Sequence, residues 1–153
     1  MNNVSNEILK KLNDNGYDAY IVGGYVRDLL LGNKSYDIDI CTNAKMKEVV
    51  KLFDGKVNDY GSLNIKVGKY NIDITTFREE LSYENRRPTD IIYITNLDDD
   101  LTRRDFTINT ICMDSNRKVI DKLNGIDDLN KGIIRMVGDP IKKVKEDPLR
   151  ILR

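Results

Sequence analysis

Ile38-Asp39-Ile40 and Ile72-Asp73-Ile74 alternate strictly between apolar and acidic side chains, and no other feature constrains the fold as much. A two-residue period sends successive side chains to opposite faces of a strand. Each segment therefore reads as a half-buried strand with its aspartate on the polar face. Asp37 precedes Asp39 by two positions, which puts both carboxylates on one face, about 7 Å apart at the Cα atoms. Carboxylates lined up in this way stay ionised where something cationic neutralises them. The pattern points to a divalent metal, with Mg2+ the expected ion, and to a phosphate-bearing substrate that shares it. In a site with two ions roughly 3.5–4 Å apart, one activates an attacking hydroxyl and the other steadies the departing pyrophosphate. Asp73, on a second strand, would serve the activating ion and accept a proton. For any one of these aspartates taken alone, a water-facing strand edge is the competing reading.

A second feature bears on phosphate. Gly23-Gly24-Tyr25-Val26-Arg27-Asp28 joins a strand to a helix through a turn that carries no side chains. Such a turn lets backbone N–H groups approach a triphosphate, and the helix N-terminus favours the negative charge. Arg27, one turn into the helix, offers a fork of donors to a phosphate oxygen. A tight strand–helix turn needs the two glycines without any ligand, and Arg27 with Asp28 also reads as a solvated helix face.

Composition narrows the chemistry further. The chain has 153 residues and no histidine, so Ser-His-Asp and Cys-His catalysis and histidine-ligated zinc are excluded within it. Its cysteines, Cys41 and Cys112, sit in apolar contexts without CxxC spacing and read as buried free thiols. Lys plus Arg equals Asp plus Glu at 25 each, so no overall basic field advertises nucleic-acid binding. Hydrophobic content is 40% and charged content 33%, but the apolar residues are periodic, as in a folded domain. No apolar run has the length of a membrane span and no signal-peptide pattern opens the chain; the cytoplasm is the expected location and no membrane partner is expected.

Along the chain, Ser5 reads as the cap of a helix carrying Ile8, Leu9 and Leu12 and stopping at Gly16. Strands are predicted over Tyr17 to Val22 and Tyr36 to Cys41, and helices over Tyr25 to Leu31 and Ala44 to Phe53. Leu63 to Val67 and Tyr70 to Phe77 form a hairpin about Gly68-Lys69. Arg78 to Asp90 has no clean period and reads as a mobile charged loop, with Arg86 and Arg87 in it, either ordinary surface or a functional lid. Ile91 to Ile94 is a short strand, and a helix is predicted from Arg103 to about Thr110. Val119 to Asp121 and Ile133 to Val137 read as strands around a short helix, and the chain is helical from Pro140 onward. Asp147 with Pro148 resembles a helix cap followed by proline at the first helical position.

The Gly23 to Asp28 turn, Asp37-Ile38-Asp39, Asp73-Ile74-Thr75-Thr76-Phe77-Arg78, Arg103-Arg104-Asp105-Phe106-Thr107-Ile108-Asn109 and Glu146-Asp147-Pro148-Leu149-Arg150 occur in that order. The order resembles the eubacterial-type (class II) CCA-adding tRNA nucleotidyltransferases and their poly(A) polymerase relatives, over about Tyr20 to Arg153. The resemblance implies an α/β (α+β) polymerase-beta-like nucleotidyltransferase head, a small mixed sheet backed by helices. The start of an all-helical neck follows. The expected division is residues 1–124 as catalytic head and 125–153 as hinge and beginning of the neck. The implied activity is template-independent addition of C and A to the 3′ end of tRNA from CTP and ATP, with release of pyrophosphate. Asp37 and Asp39 match the metal-binding pair and Asp73 the third catalytic carboxylate. Gly23, Gly24 and Arg27 match the triphosphate turn, and Arg104 and Asp105 the segment recognising ribose and phosphates. Asp147 and Arg150 match the pair that reads the base edge, Glu146 orients Arg150, and Arg153 falls on a further arginine of the same helix. Helical spacing suits that role, since residues at i and i+3 share a face and set an acceptor beside donors. Asp147 as helix cap with Arg150 as its ion-pair partner is the plainer reading of the same spacing.

Several alternatives stay open. A poly(A) polymerase, or an enzyme adding only CC or only A, shares these motifs, although Tyr60-Gly61-Ser62-Leu63-Asn64-Ile65 stands where poly(A) polymerases carry an arginine-rich stretch. The family continues into helical neck, body and tail domains that grip tRNA, whereas this sequence stops at Arg153 inside an unfinished helix. It reads as an excised piece, a minimal natural version, or one partner of a split protein whose helical segment acts in cis or in trans. A nucleotide-binding fragment without turnover of its own is the alternative of another class. Neutral charge predicts weak tRNA binding by residues 1–153 alone.

Overall fold

Apolar residues at helical spacing make the first helix, α1 (Asn3–Asp14), an amphipathic cover whose Ile8, Leu9 and Leu12 are buried. The computed structural model describes residues 3–84 and 87–152, without the side chain of Arg87. Arg86 of the charged segment and Arg153 of the expected site lie outside the described residues. Ser5 is not the cap of α1; it is buried inside the helix, because Val4 ahead of it already packs on the core. Next come β1 (Ala19–Val22), α2 (Gly24–Leu30), β2 (Asp37–Thr42), α3 (Met46–Leu52), β3 (Lys56–Val57), β4 (Ser62–Val67) and β5 (Tyr70–Thr76). After β6 (Arg78–Glu84) and β7 (Arg87–Tyr93) come α4 (Leu97–Thr102), β8 (Cys112–Met113), β9 (Val119–Ile120), α5 (Gly125–Lys131) and α6 (Pro140–Glu146).

Seven strands form one mixed sheet in the order β3-β4-β5-β2-β1-β8-β9, the expected α/β arrangement. The β2–β5 pair is parallel, with Asp39 opposite Asp73 and Asp37 opposite Asn71. In-register neighbours of parallel strands share a face, so all the predicted carboxylates lie on the same side of the sheet. The other side carries Ile38, Ile40, Ile72, Ile74, Ile21 and Leu63, which pack with α1, α2 and α3 residues into the main core. Beneath the acidic side lies a smaller core of Val22, Cys41, Phe77, Leu101 and Cys112, and both cysteines are buried free thiols.

The structure corrects several expected elements. The described part of Arg78 to Asp90 is not a loop: Arg78–Glu84 and Arg87–Tyr93 pair as strands β6 and β7 in a two-stranded sheet of their own. The lack of a buried apolar face hid it, since none of its described residues is fully buried. The helix expected from Arg103 to Thr110 does not form; the helix lies earlier, as α4, and only a short 3-10 turn, Thr107–Asn109, falls within the expected span. Ile133 to Val137 forms no strand; its pairing is a single bridge between Phe106 and Met136. Beyond Pro140 the helix breaks at Asp147, whose backbone is extended, as expected of a residue directly before proline. A 3-10 helix, Pro148–Leu152, then resumes. Helix α5 lies tight on the fold: Ile126 and Leu129 pack on the main core, and Thr107 Oγ1 donates to Asp128 Oδ2 at 2.7 Å. No helix among the described residues is long and apolar enough to cross a membrane.

Candidate active site

At the end of β1 the chain must turn into α2 directly beside β2, and Gly23 makes that turn with φ 81°. A side chain there would be strained by the backbone and would meet Asp39 Oδ2 at 3.2 Å from its Cβ. The glycine therefore lets a carboxylate lie against the turn. Gly24 opens α2, and Arg27, one turn on, folds back so that its Nη2 lies 3.5 Å from where a Gly24 Cβ would be. The Arg27 guanidinium also donates to Asp28 Oδ1 (2.9 Å) and Asn109 Oδ1 (2.9 Å), and its side chain keeps 30% exposure.

Asp39 and Asp73 stand side by side through the β2–β5 register. Asparagine amides brace the flanking carboxylates: Asn71 Nδ2 donates to Asp37 Oδ1 at 2.9 Å and Asn64 Nδ2 to Asp73 Oδ1 at 3.1 Å. The Asp39 carboxyl is held above its ordinary pKa by the protein crowded around it. The charges of Asp73 and Asp37 add to that rise, while Arg104 and Arg103 oppose it. Solvent still reaches the residue from the open side. Among the described residues, no three His, Cys, Asp or Glu side chains close into a cage for an ion. The donors are nevertheless all hard oxygens on one face, one of them with unfavourable negative charge around it. That set fits Mg2+, which keeps few protein ligands and draws the rest from phosphate and water; Asp37 and Asp39 would hold it.

A cluster of arginines faces this acidic edge. Asn96 caps α4, accepting from Asp98 N at 3.0 Å, and α4 presents the fully buried Asp100. Arg103 Nε (2.9 Å), Arg104 Nη2 (2.8 Å) and the backbone N–H of Arg78 (3.1 Å) all donate to its carboxylate. Burial alone would raise the Asp100 pKa, but Arg104 and Arg103 hold it below the usual carboxylate range. Burial likewise works against the Arg104 charge, and Asp100 more than restores it. The buried Nε of Arg104 has no partner among the described residues. Glu80 of β6 extends the network, accepting from Arg78 Nε at 2.8 Å and from Arg103 Nη1 at 3.3 Å.

The third wall comes from the segment after α6. Asp139 caps that helix through Ile141 N (2.8 Å), ahead of Pro140. Asp147 and Arg150 are both about 5% exposed. The Asp147 carboxylate accepts from Leu149 N at 3.1 Å, and Arg150 pairs with Glu146 Oε2 at 2.7 Å. Arg150 also donates to the Lys143 carbonyl (2.9 Å) and to the Tyr83 hydroxyl (3.2 Å). The Tyr83 hydroxyl in turn donates to Glu80. Burial and Glu80 push Tyr83 up to about 12.

These walls enclose a cleft of about 380 Å³ lined by Gly23, Gly24, Asp39, Arg104, Asp105, Asp147 and Arg150 among others. Of the described residues expected at the site, Asp37, Asp73, Arg27 and Glu146 are not part of that lining; Asp73 pairs in register with Asp39 and Glu146 with Arg150. Tyr60, Arg78, Glu80, Tyr83, Arg103 and Asn109 also line it; sequence reasoning gave Tyr60 and Arg78 no individual role and placed Glu80 and Tyr83 only within a charged segment read as surface or lid. Arg78 ends the Asp73 motif, which was the available signal for it; no periodicity singled out Glu80 or Tyr83.

Comparisons with known proteins bear on the fold and the family. A family model described as the Poly A polymerase head domain matches residues 19–135. The chain is 45% identical over 150 residues to the CCA-adding enzyme of Lactobacillus helveticus, covering 95% of this chain and 38% of that protein. It is similar in structure to the Bacillus stearothermophilus CCA-adding enzyme in complex with CTP. The TM-score is 0.85 at 36% identity, over 97% of this chain and 36% of that one. The Thermotoga maritima CCA-adding enzyme complexed with tRNA superposes with TM-score 0.76 at 30% identity, over 99% of this chain and 35% of the other. The chain thus spans little more than a third of the length of the relatives it matches.

Proposed function

Because this chain belongs to the poly(A) polymerase head-domain family, we propose that it is the nucleotidyltransferase head of a cytoplasmic CCA-adding enzyme. In this reading residues 1–124 form the catalytic head and 125–153 the hinge and start of a helical neck. The supporting observation is a single cleft with Asp39 and the Gly23-Gly24 turn at one side and Asp147 and Arg150 at another. In this reading a nucleoside triphosphate lies along the cleft, its phosphates toward the first side and its base toward the second. Gly23 and Gly24 offer backbone N–H groups to the triphosphate, and Arg27 and Arg104 offer guanidinium donors. Asp37 and Asp39 would hold Mg2+, which when bound would supply neutralisation of phosphoryl oxygens and lower the pKa of the attacking hydroxyl.

Asp73 takes the proton of the RNA 3′-hydroxyl as its oxygen bonds the α-phosphorus of CTP or ATP. The bond from that phosphorus to the bridging oxygen breaks, and pyrophosphate leaves. Positioning and charge neutralisation provide most of the acceleration. Base choice follows from hydrogen-bond complementarity. Cytosine and adenine each present an exocyclic amino donor beside a ring-nitrogen acceptor, which suits an aspartate acceptor next to arginine donors. Uracil and guanine present the opposite order.

Titration of the chain with CTP, ATP, UTP and GTP in the presence of Mg2+ tests the assignment. CTP and ATP should bind at least about tenfold tighter than the other two, a difference near 1.4 kcal/mol. Asp147→Ala should erase the preference. Equal affinity for all four nucleotides in the unsubstituted chain would overturn the base-reading role, and with it CCA addition.

A further inference from the structure

We propose that Lys143 is a positioning residue that fixes the spacing between the phosphate-facing arginines and the base-reading pair; this deepens, and rests on, the function proposed above. Lys143 is only 8% exposed, unusual for a lysine with no ion pair within 4 Å among the described residues. Its Nζ crosses to the end of α4 and donates to the carbonyl oxygens of Thr102 (3.0 Å) and Arg103 (2.9 Å). These carbonyls fall where a helix runs out of internal donors and where its dipole favours a cation. They also belong to the backbone that leads directly into Arg104 and Asp105.

The other end of the same residue holds the opposite wall. The Lys143 carbonyl accepts from Arg150 Nη1 at 2.9 Å and from the backbone N–H of Asp147 at 3.2 Å. One residue thus ties Arg150 and Asp147 through its backbone and the Arg103–Arg104 segment through its side chain, across some forty positions of sequence. A nucleoside triphosphate that touches both walls gains from their fixed separation, because binding at one end then presents the other end correctly. A ligand that touches only the phosphate side gains nothing from it. An apolar side chain would fill the same space but would leave both carbonyls without a donor and the two walls unlinked.

The test compares CTP, ATP and inorganic triphosphate, each titrated with Mg2+ into the chain and into Lys143→Met. The substituted chain should lose about tenfold or more in affinity for CTP and ATP, as expected from losing charge-assisted hydrogen bonds. Its affinity for inorganic triphosphate should stay within about twofold. Lys143→Arg, which keeps a cation with several donors, should restore most of the CTP affinity. Lys143→Gln, a milder change should Lys143→Met not fold, should fall between the two. Unchanged CTP binding in Lys143→Met or Lys143→Gln overturns the inference, as does an equal loss for all three ligands, which marks a merely structural staple. If the unsubstituted chain binds CTP no more tightly than inorganic triphosphate, the base-reading assignment itself fails. That result is recognisable before any variant is made.

Discussion

Asp39 and Asp100 are both carboxylates close to the same arginines, yet their environments drive them in opposite directions. Asp39 is surrounded by protein and by the charges of Asp73 and Asp37, so its pKa in the folded chain lies above the ordinary value of 3.8. A raised carboxylate pKa means that ionised Asp39 weakens the fold above that pKa, and the penalty fades as pH falls toward 3.8. Asp39→Asn should therefore raise the melting temperature slightly at pH 7 and leave it unchanged near pH 3.5. The same change should cut nucleotide transfer by at least about 100-fold, since loss of an outer-shell partner alone reaches that size. Activity lost together with stability would show Asp39 to be structural instead. Asp100 and Glu80 behave the other way. Their burial is outweighed by Arg104 and Arg103 for Asp100, and by Arg103, Tyr83 and Arg78 for Glu80, so both pKa values are lowered. Their stabilisation is present above the unfolded values of 3.8 and 4.5 and is lost as pH falls through the lower folded values. Asp100→Asn should destabilise the chain by about 3 kcal/mol in urea unfolding at pH 7, because two buried guanidinium groups lose their anion. The difference should shrink on acidification, and a constant difference down to pH 3 would contradict it.

Elements were legible in the sequence where burial is one-sided and missed where it is not. Strands β2, β4 and β5 announced themselves because alternate residues such as Ile38, Ile40, Ile72 and Ile74 meet a core. The β6–β7 hairpin has no such face, since one side holds Glu80 and Tyr83 against other polar groups of the cleft and the other meets water. The helix was expected at Arg103 to Thr110 but forms as α4 ahead of it, and Arg103 and Arg104 turn back from its end to Asp100, a contact that no periodicity encodes. The break at Asp147 was signalled by Pro148, but only as a cap; that it also ends α6 became visible with the backbone. Element packing yields its own prediction at Gly125, the first residue of α5. A Cβ there would lie 2.3 Å from the Thr107 carbonyl oxygen and 2.9 Å from Ile111 Cγ1. Neither the backbone nor a packed isoleucine can withdraw cheaply, so Gly125→Ala should destabilise by about 1–3 kcal/mol. Gly16, with nothing within 4 Å of a Cβ, provides the comparison: Gly16→Ala meets only the left-handed backbone penalty of about 1–2 kcal/mol. Equal melting temperatures for Gly125→Ala and the unsubstituted chain would mean that α5 does not rest on the 107–111 segment as described.

For the whole molecule, ordered motifs told more than composition, because residues far apart in sequence converge only through the sheet. Gly23, Asp39, Arg104 and Asp147 share one cleft although more than a hundred positions separate the first from the last. Charge is the global property with the clearest consequence. Lys and Arg total 25 and so do Asp and Glu, and many of the cleft's arginines are already matched within the fold: Arg78 and Arg103 by Glu80, Arg104 by Asp100, Arg150 by Glu146. The cleft then offers little unmatched positive charge to an RNA backbone, and the balanced total adds no net basic field, while phosphate contacts dominate nucleic-acid affinity. The chain alone should therefore bind tRNA weakly while still binding CTP. In a filter-binding series over salt, the slope of log K against log salt should be shallower than about −3, equivalent to roughly four phosphates at most. A steep slope with tight binding at physiological salt would show that this head carries a backbone-gripping surface of its own. Restoring a helical segment in trans should steepen the slope without changing the CTP affinity, since the two ligands draw on different charges. If the slope and the CTP affinity moved together, the added segment would have to be reshaping the cleft itself.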